Sequence, residues 1–129
     1  MNTISTPKWS ASITIGMQKG YTDERISLKI IKSYLQEIQE IQIKREQLYL
    51  SANFFMSDIV LSGQDEPHVN FNFINYPRFP STEAQLKNGV LEIARYLMDK
   101  MEQNRIVISF DKEIIMLEIS DQIDENITK

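Results

Sequence analysis

The fold is decided by residues 68–82, His68-Val69-Asn70-Phe71-Asn72-Phe73-Ile74-Asn75-Tyr76-Pro77-Arg78-Phe79-Pro80-Ser81-Thr82. Val69, Phe71 and Phe73 alternate with His68, Asn70 and Asn72, the period of a strand buried on one face. Pro77 and Pro80 then fix the backbone, and each disfavours helix at the residue before it. Thr82 and Gln85 stand at capping-box spacing, with Ser81 as an alternative cap. Leu86, Val90, Ile93, Leu97 and Met101 recur behind that cap at helical spacing, and Gln103-Asn104 ends the run. A strand, a rigid loop and a helix therefore follow one another.

On the N-terminal side, Ser62-Gly63-Gln64-Asp65-Glu66-Pro67 reads as a turn before the strand. Tyr49 to Leu61 is rich in β-favouring residues, with Leu50, Ala52, Phe54 and Met56 on one face. Upstream, Ile26, Ile30, Tyr34, Ile38 and Ile41 mark a wide-striped helix to about residue 46, with Thr22-Asp23-Glu24 supplying a cap and acids at its start. Ile13, Ile15 and Met17 alternate as a half-buried first strand ending at Lys19-Gly20. After the second helix, Arg105 to Phe110 and Glu113 to Glu118 form two strands joined through Asp111-Lys112. The order β-α-β-β-α-β-β predicts an α+β, ferredoxin-like split βαβ domain with a C-terminal hairpin strand and two helices on one face. Residues 11–118 form this single domain, between a flexible arm at 1–10 and a frayed tail at 119–129. Trp9 is expected to pack on the domain edge or on a neighbouring subunit.

The chain has 129 residues, no cysteine and a net charge of −4. Disulfides, thiolate metal sites and cysteine nucleophiles are excluded. The acidic balance opposes binding to duplex nucleic acid. No apolar run approaches the roughly 18 residues of a membrane span, and a cytoplasmic protein is expected.

The first and third strands are expected to lie adjacent and parallel, which would put both strand-to-helix loops at one end of the sheet. One loop carries Lys19, Gly20 and Tyr21; the other carries Asn75, Tyr76, Arg78, Phe79 and Ser81. Free N–H groups at the helix starts, two cations and three rings suit an anionic, nucleotide-like ligand. The competing reading, which aromatics beside prolines favour, is that the prolines shape a turn in which Phe79 caps the core and Arg78 pairs with a surface acid. Asn53, Asn70 and Asn72 line the sheet's other face, as solvated surface, ligand floor or subunit contact. His68 with Asp65 and Glu66 could hold a metal only if the three converge, and these acids sit where turns want them. No cofactor and no catalytic residue is expected.

The segment from Gly63 to Pro67, the strand Val69–Phe73, Ile74–Pro80, the helix Ser81–Met101 and Ile114–Glu118 together resemble a group of small α+β proteins of phages and prophage-like regions. The resemblance spans residues 11 to 118 and implies a phage origin; it carries no activity or functional residues with it. Small, cysteine-free phage proteins often act by binding, so the expected function is non-catalytic: a homo-oligomer that sequesters an anionic nucleotide-like small molecule used in host defence, with a cyclic nucleotide as one candidate. The alternative is an interaction module that inhibits or adapts a host protein through the first helix or the open sheet face.

Overall fold

A computed structural model describes residues 1–20 and 22–121. Its elements in chain order are β1 (Ser10–Gly16), α1 (Leu28–Glu46), β2 (Ala52–Leu61), β3 (Gln64–Ile74), α2 (Glu83–Lys100), β4 (Arg105–Phe110) and β5 (Ile114–Glu118). The strands form one sheet in the order β2-β3-β1-β4-β5. This is the α+β, ferredoxin-like arrangement expected, with β5 extending it.

Every neighbouring pair of strands is antiparallel, including β1 with β3, whose register pairs Gly16 with His68 and Ser10 with Ile74. The expected parallel pairing of these two is therefore corrected. The physical reason is the tight β2–β3 turn, which reverses β3 against a β2 that the α1 crossover has set parallel to β1. Inserted between them, β3 runs against both. The β1–α1 loop and the β3–α2 loop consequently emerge at opposite ends of the sheet.

β3 also begins earlier than the proline suggested. Asp58 pairs with Pro67, Ile59 with Glu66 and Leu61 with Gln64, so only Ser62 and Gly63 are left to turn. Pro67 costs no ladder bond here. Its carbonyl accepts Met17 N–H at 3.1 Å, while the Met17 carbonyl that would have needed a Pro67 N–H accepts Ile26 N–H at 2.7 Å. A proline at the margin of a paired region is tolerated for this reason.

Alternation assigns the two faces. Ile13, Ile15, Val69, Phe71, Phe73, Ile106 and Ile108 are fully buried under the helices. Their neighbours Thr14, Gly16, His68, Asn70, Val107 and Met116 belong to the open face. The helix α2 starts as the sequence predicts: Thr82 caps it, and Thr82 and Gln85 form the reciprocal box. α1 does not. Ser27 is its N-cap, and Thr22 and Glu24 instead close a small loop in which Lys19 N–H donates to the Glu24 carbonyl at 2.7 Å.

The helices meet where α2 has no side chain. A Cβ on Gly89 would lie 2.5 Å from Leu48 Cδ2 and 2.6 Å from Leu50 Cδ1. Beside it, fully buried Gln42 donates its Nε2 to the Gly89 carbonyl and to Glu92, both at 2.9 Å. Arg45 grips Glu92 at 2.7 and 2.9 Å, and the Tyr96 hydroxyl donates to Glu37, which pushes the Tyr96 pKa up to about 12.

Trp9 is buried against Phe110 at 6.2 Å between ring centres, and Ser10 is already in β1, so the domain begins inside the segment assigned to an arm. Ile119 N–H donates to the Asn104 carbonyl, and Ser120 N–H to the Asn104 side chain, tying down the start of the expected tail. Residues 122–129 of that tail lie outside the described residues.

Candidate functional site

The open face of the sheet carries a cavity of about 440 Å³ at the end where β1 stops and β3 and β4 begin. Every strand contributes: Thr14 and Gly16 from β1, Ile59 from β2, Gln64, Glu66 and His68 from β3, Arg105 and Val107 from β4, Met116 from β5. Gln103 and Asn104, from the turn after α2, close one side, with Gln18 and Gly20 beside them. Its volume suits a ligand the size of a nucleoside.

The polar groups of this cavity are held by specific bonds. His68 Nδ1 lies 3.2 Å from the Glu66 carbonyl. Gln64 Nε2 donates to the Glu66 carboxylate, and Arg105 is ion-paired with Glu118. The Thr14 hydroxyl donates to Asn70 Oδ1 at 2.8 Å, and Asn70 Nδ2 donates to the Ser57 hydroxyl at 2.7 Å. Gln103, about nine-tenths buried, donates Nε2 to the Gln18 carbonyl and, at 3.0 Å, to the Met101 carbonyl. Among the described lining residues Glu66 is the one carboxylate and Arg105 the one permanent cation; Ile59, Val107 and Met116 add apolar wall beside the amides and His68.

The two predicted loops are not brought together. Of the first, Gly20 lines the cavity, Lys19 is ion-paired with Glu102 at 2.8 Å, and Tyr21 lies outside the described residues. The second loop stands beyond the far end of β3, roughly 20 Å along the strand from His68. There Asn75 Oδ1 accepts Ser81 N–H at 3.0 Å, and Asn75 N–H donates to the Trp9 carbonyl. Phe79 stacks between Tyr49 and Tyr76, at 4.8 and 6.1 Å. Arg78 is exposed, and no ion pair reaches it among the described residues. Asn75, Tyr76, Phe79 and Ser81 thus build a turn, while Arg78 projects from it.

The asparagines do line the open face. Asn70 is nine-tenths buried in its bonds to Thr14 and Ser57, whereas Asn53 and Asn72 pair across β2 and β3 and stay exposed. Glu66, His68 and Gln103 went unpredicted as site residues. A signal for the first two existed: Gln64, Glu66, His68 and Asn70 continue the period-2 pattern backwards through Pro67. Gln103 carried no such signal, since only the tertiary fold brings it to Gly16.

No family model matches this chain. No curated protein matches it either. Solved structures do. A phage SAM lyase in complex with S-methyl-5'-thioadenosine superposes with a TM-score of 0.72 at 15% identity, covering 95% of this chain and 98% of that one. A phage SAM lyase in the apo state gives 0.69 at 15% identity, over 89% of this chain and 91% of the other. The likeness establishes a shared fold. It also overturns the expectation of a non-catalytic sequestering protein or interaction module, because both neighbours are enzymes. The ligand of the first is a small molecule, as expected of a partner, but a neutral thioether nucleoside rather than an anion.

Proposed function

We propose that this chain is a lyase that cleaves the sulfonium of S-adenosylmethionine and releases S-methyl-5'-thioadenosine. The observation that carries it is the cavity bearing Glu66, with apolar walls, on a fold that phage SAM lyases share over nearly the whole chain.

The lining residues define the chemistry available. Among the described residues they include no cysteine or lysine, and the one hydroxyl there, on Thr14, is committed to Asn70. A lyase adds no water, so the nucleophile falls to the substrate itself. A substrate carboxylate oxygen bonds to the γ-carbon as the carbon–sulfur bond breaks, and the bonding pair goes to sulfur. The products are a neutral thioether and an amino-lactone, with no proton transferred. This step destroys opposite charges, so a site poor in water favours it. Ile59, Val107 and Met116 give the cavity apolar walls, and a second copy of the chain over the open face would seal them from water.

Glu66 is suited to hold the substrate ammonium and so aim the carboxylate at the γ-carbon. Glu66→Gln is therefore expected to weaken S-adenosylmethionine binding by about 10- to 100-fold, the range for a hydrogen bond to a charged group. Affinity for S-methyl-5'-thioadenosine, which has no ammonium, should not change. Equal losses for both molecules would contradict this role, and no turnover by the unaltered protein would contradict the proposed activity.

The same proposal gives the open face a partner. Phe55, Ile59, Ile74, Val107 and Met116 expose apolar surface there, and a second copy of the chain would cover it and close the cavity. A phage-encoded homo-oligomer in the host cytoplasm, depleting a methyl donor on which host defence draws, fits these features. Sedimentation should show an oligomer, and Val107→Asp should shift it to monomer.

A further inference from the structure

Two acceptors meet in the inner corner of the cavity, and their orientation is determined by bonds made elsewhere. Gln103 has one terminal atom within reach of two carbonyl oxygens, those of Gln18 and Met101. Only the amide nitrogen can serve both, so its two protons are spent and Oε1 is an acceptor with a fixed direction. That direction is toward Gly16: a Cβ built there would stand 3.0 Å from Gln103 Oε1. His68 is fixed by the same logic. Its Nδ1 faces the Glu66 carbonyl, which can only accept, so in the neutral ring Nδ1 carries the proton and Nε2 the lone pair. His68 Nε2 lies 3.8 Å from the same point above Gly16. A glycine at this position leaves the corner open.

We infer that Gln103 Oε1 and His68 Nε2 form a specificity site that reads the exocyclic amino group of an adenine. The inference rests on the lyase function proposed above and deepens it. Two converging acceptors match a group with two N–H donors. S-Adenosylmethionine offers two such groups, the adenine amine and the ammonium. A full positive charge gains far more from a carboxylate than from neutral acceptors, so the ammonium belongs to Glu66 and the amine to this corner. Glu66 lies two residues along β3 from His68, a step of about 7 Å, which keeps the two ends of one ligand apart.

The test compares S-methyl-5'-thioadenosine with S-methyl-5'-thioinosine, in which a carbonyl oxygen replaces the amine, by calorimetry on the full chain. Two acceptors then oppose an acceptor, and the unaltered protein should prefer the adenosine by about 10- to 100-fold. Gln103→Met should bring that ratio close to one by weakening the adenosine alone. Because Gln103 also ties α2 to the β1 end, Gly16→Ala provides a second variant; its methyl group crowds Oε1 while the amide that serves the two carbonyls is kept. It should reduce the preference in the same way, with cooperative thermal unfolding retained. S-Adenosylhomocysteine separates the two donor sources: it should lose as much affinity in each variant as the thioadenosine does. The inference is overturned if the unaltered protein shows no preference, if neither variant changes it, or if S-adenosylhomocysteine weakens while the thioadenosine does not. Turnover of S-adenosylmethionine without any preference would sink the corner alone; absence of both turnover and binding would sink the lyase function with it.

Discussion

Gln42 offers a test of how the two helices are held. It is fully buried, its Nε2 makes two hydrogen bonds of 2.9 Å, and its Oε1 has no partner among the described residues. Replacing it with methionine keeps the volume and removes both polar atoms. The two lost bonds cost about 1 kcal/mol for the Gly89 carbonyl and about 1.5–3 kcal/mol for the Glu92 carboxylate. Relief of a buried unpaired oxygen returns about 1–3 kcal/mol. Neither former partner is stranded, since Gly89 lies inside the α2 ladder and Glu92 keeps Arg45. Gln42→Met should therefore cost only about 1 kcal/mol, whereas Gln42→Ala, which leaves a cavity, should lose about 2–4 kcal/mol. Equilibrium urea unfolding at constant m-value measures both. If methionine cost as much as alanine, the polar bonds and not the packing would be holding the helices.

Three further outcomes follow. Gly89→Val places carbon atoms where Leu48 and Leu50 already sit, and should destabilise by about 1–3 kcal/mol in the same assay; an unchanged midpoint would refute the close approach. The Arg45 guanidinium holds the Glu92 carboxyl below its ordinary pKa of 4.5, so its contribution is present above that value and disappears as pH falls through the folded-state pKa. Glu92→Gln should thus lower Tm by about 1–3 °C at pH 7 and converge with the unaltered protein in acid; an equal deficit at both ends would remove the charge from the explanation. Arg78→Ala, far from the cavity, should change stability by no more than about 0.5 kcal/mol and leave thioadenosine affinity intact. A tenfold loss of affinity would relocate the site to that loop.

The elements with strong local signals were legible in the sequence. Val69, Phe71 and Phe73 declared a half-buried strand, Thr82 and Gln85 a helix start, and Asp111-Lys112 a hairpin, because alternation, capping and turns are short-range effects. Strand direction was not, since it depends on the crossover and the β2–β3 turn acting together. That one inversion separated the Lys19 and Arg78 loops and dissolved the site built on them. Pro67 hid the front of β3, and with it Glu66 and His68, because a lost N–H costs nothing where the neighbouring strand has already turned away. Gln103 could not have been found from spacing: it reaches Gly16 only after α2 and β4 are in place.

The most direct test is to incubate the protein with S-adenosylmethionine in water enriched in oxygen-18 and follow the products by mass spectrometry at early times. Intramolecular cleavage predicts S-methyl-5'-thioadenosine and an unlabelled amino-lactone in equal amounts, formed faster than in the protein-free control. Label in the first-formed product, or no thioadenosine above that control, would contradict the proposed lyase.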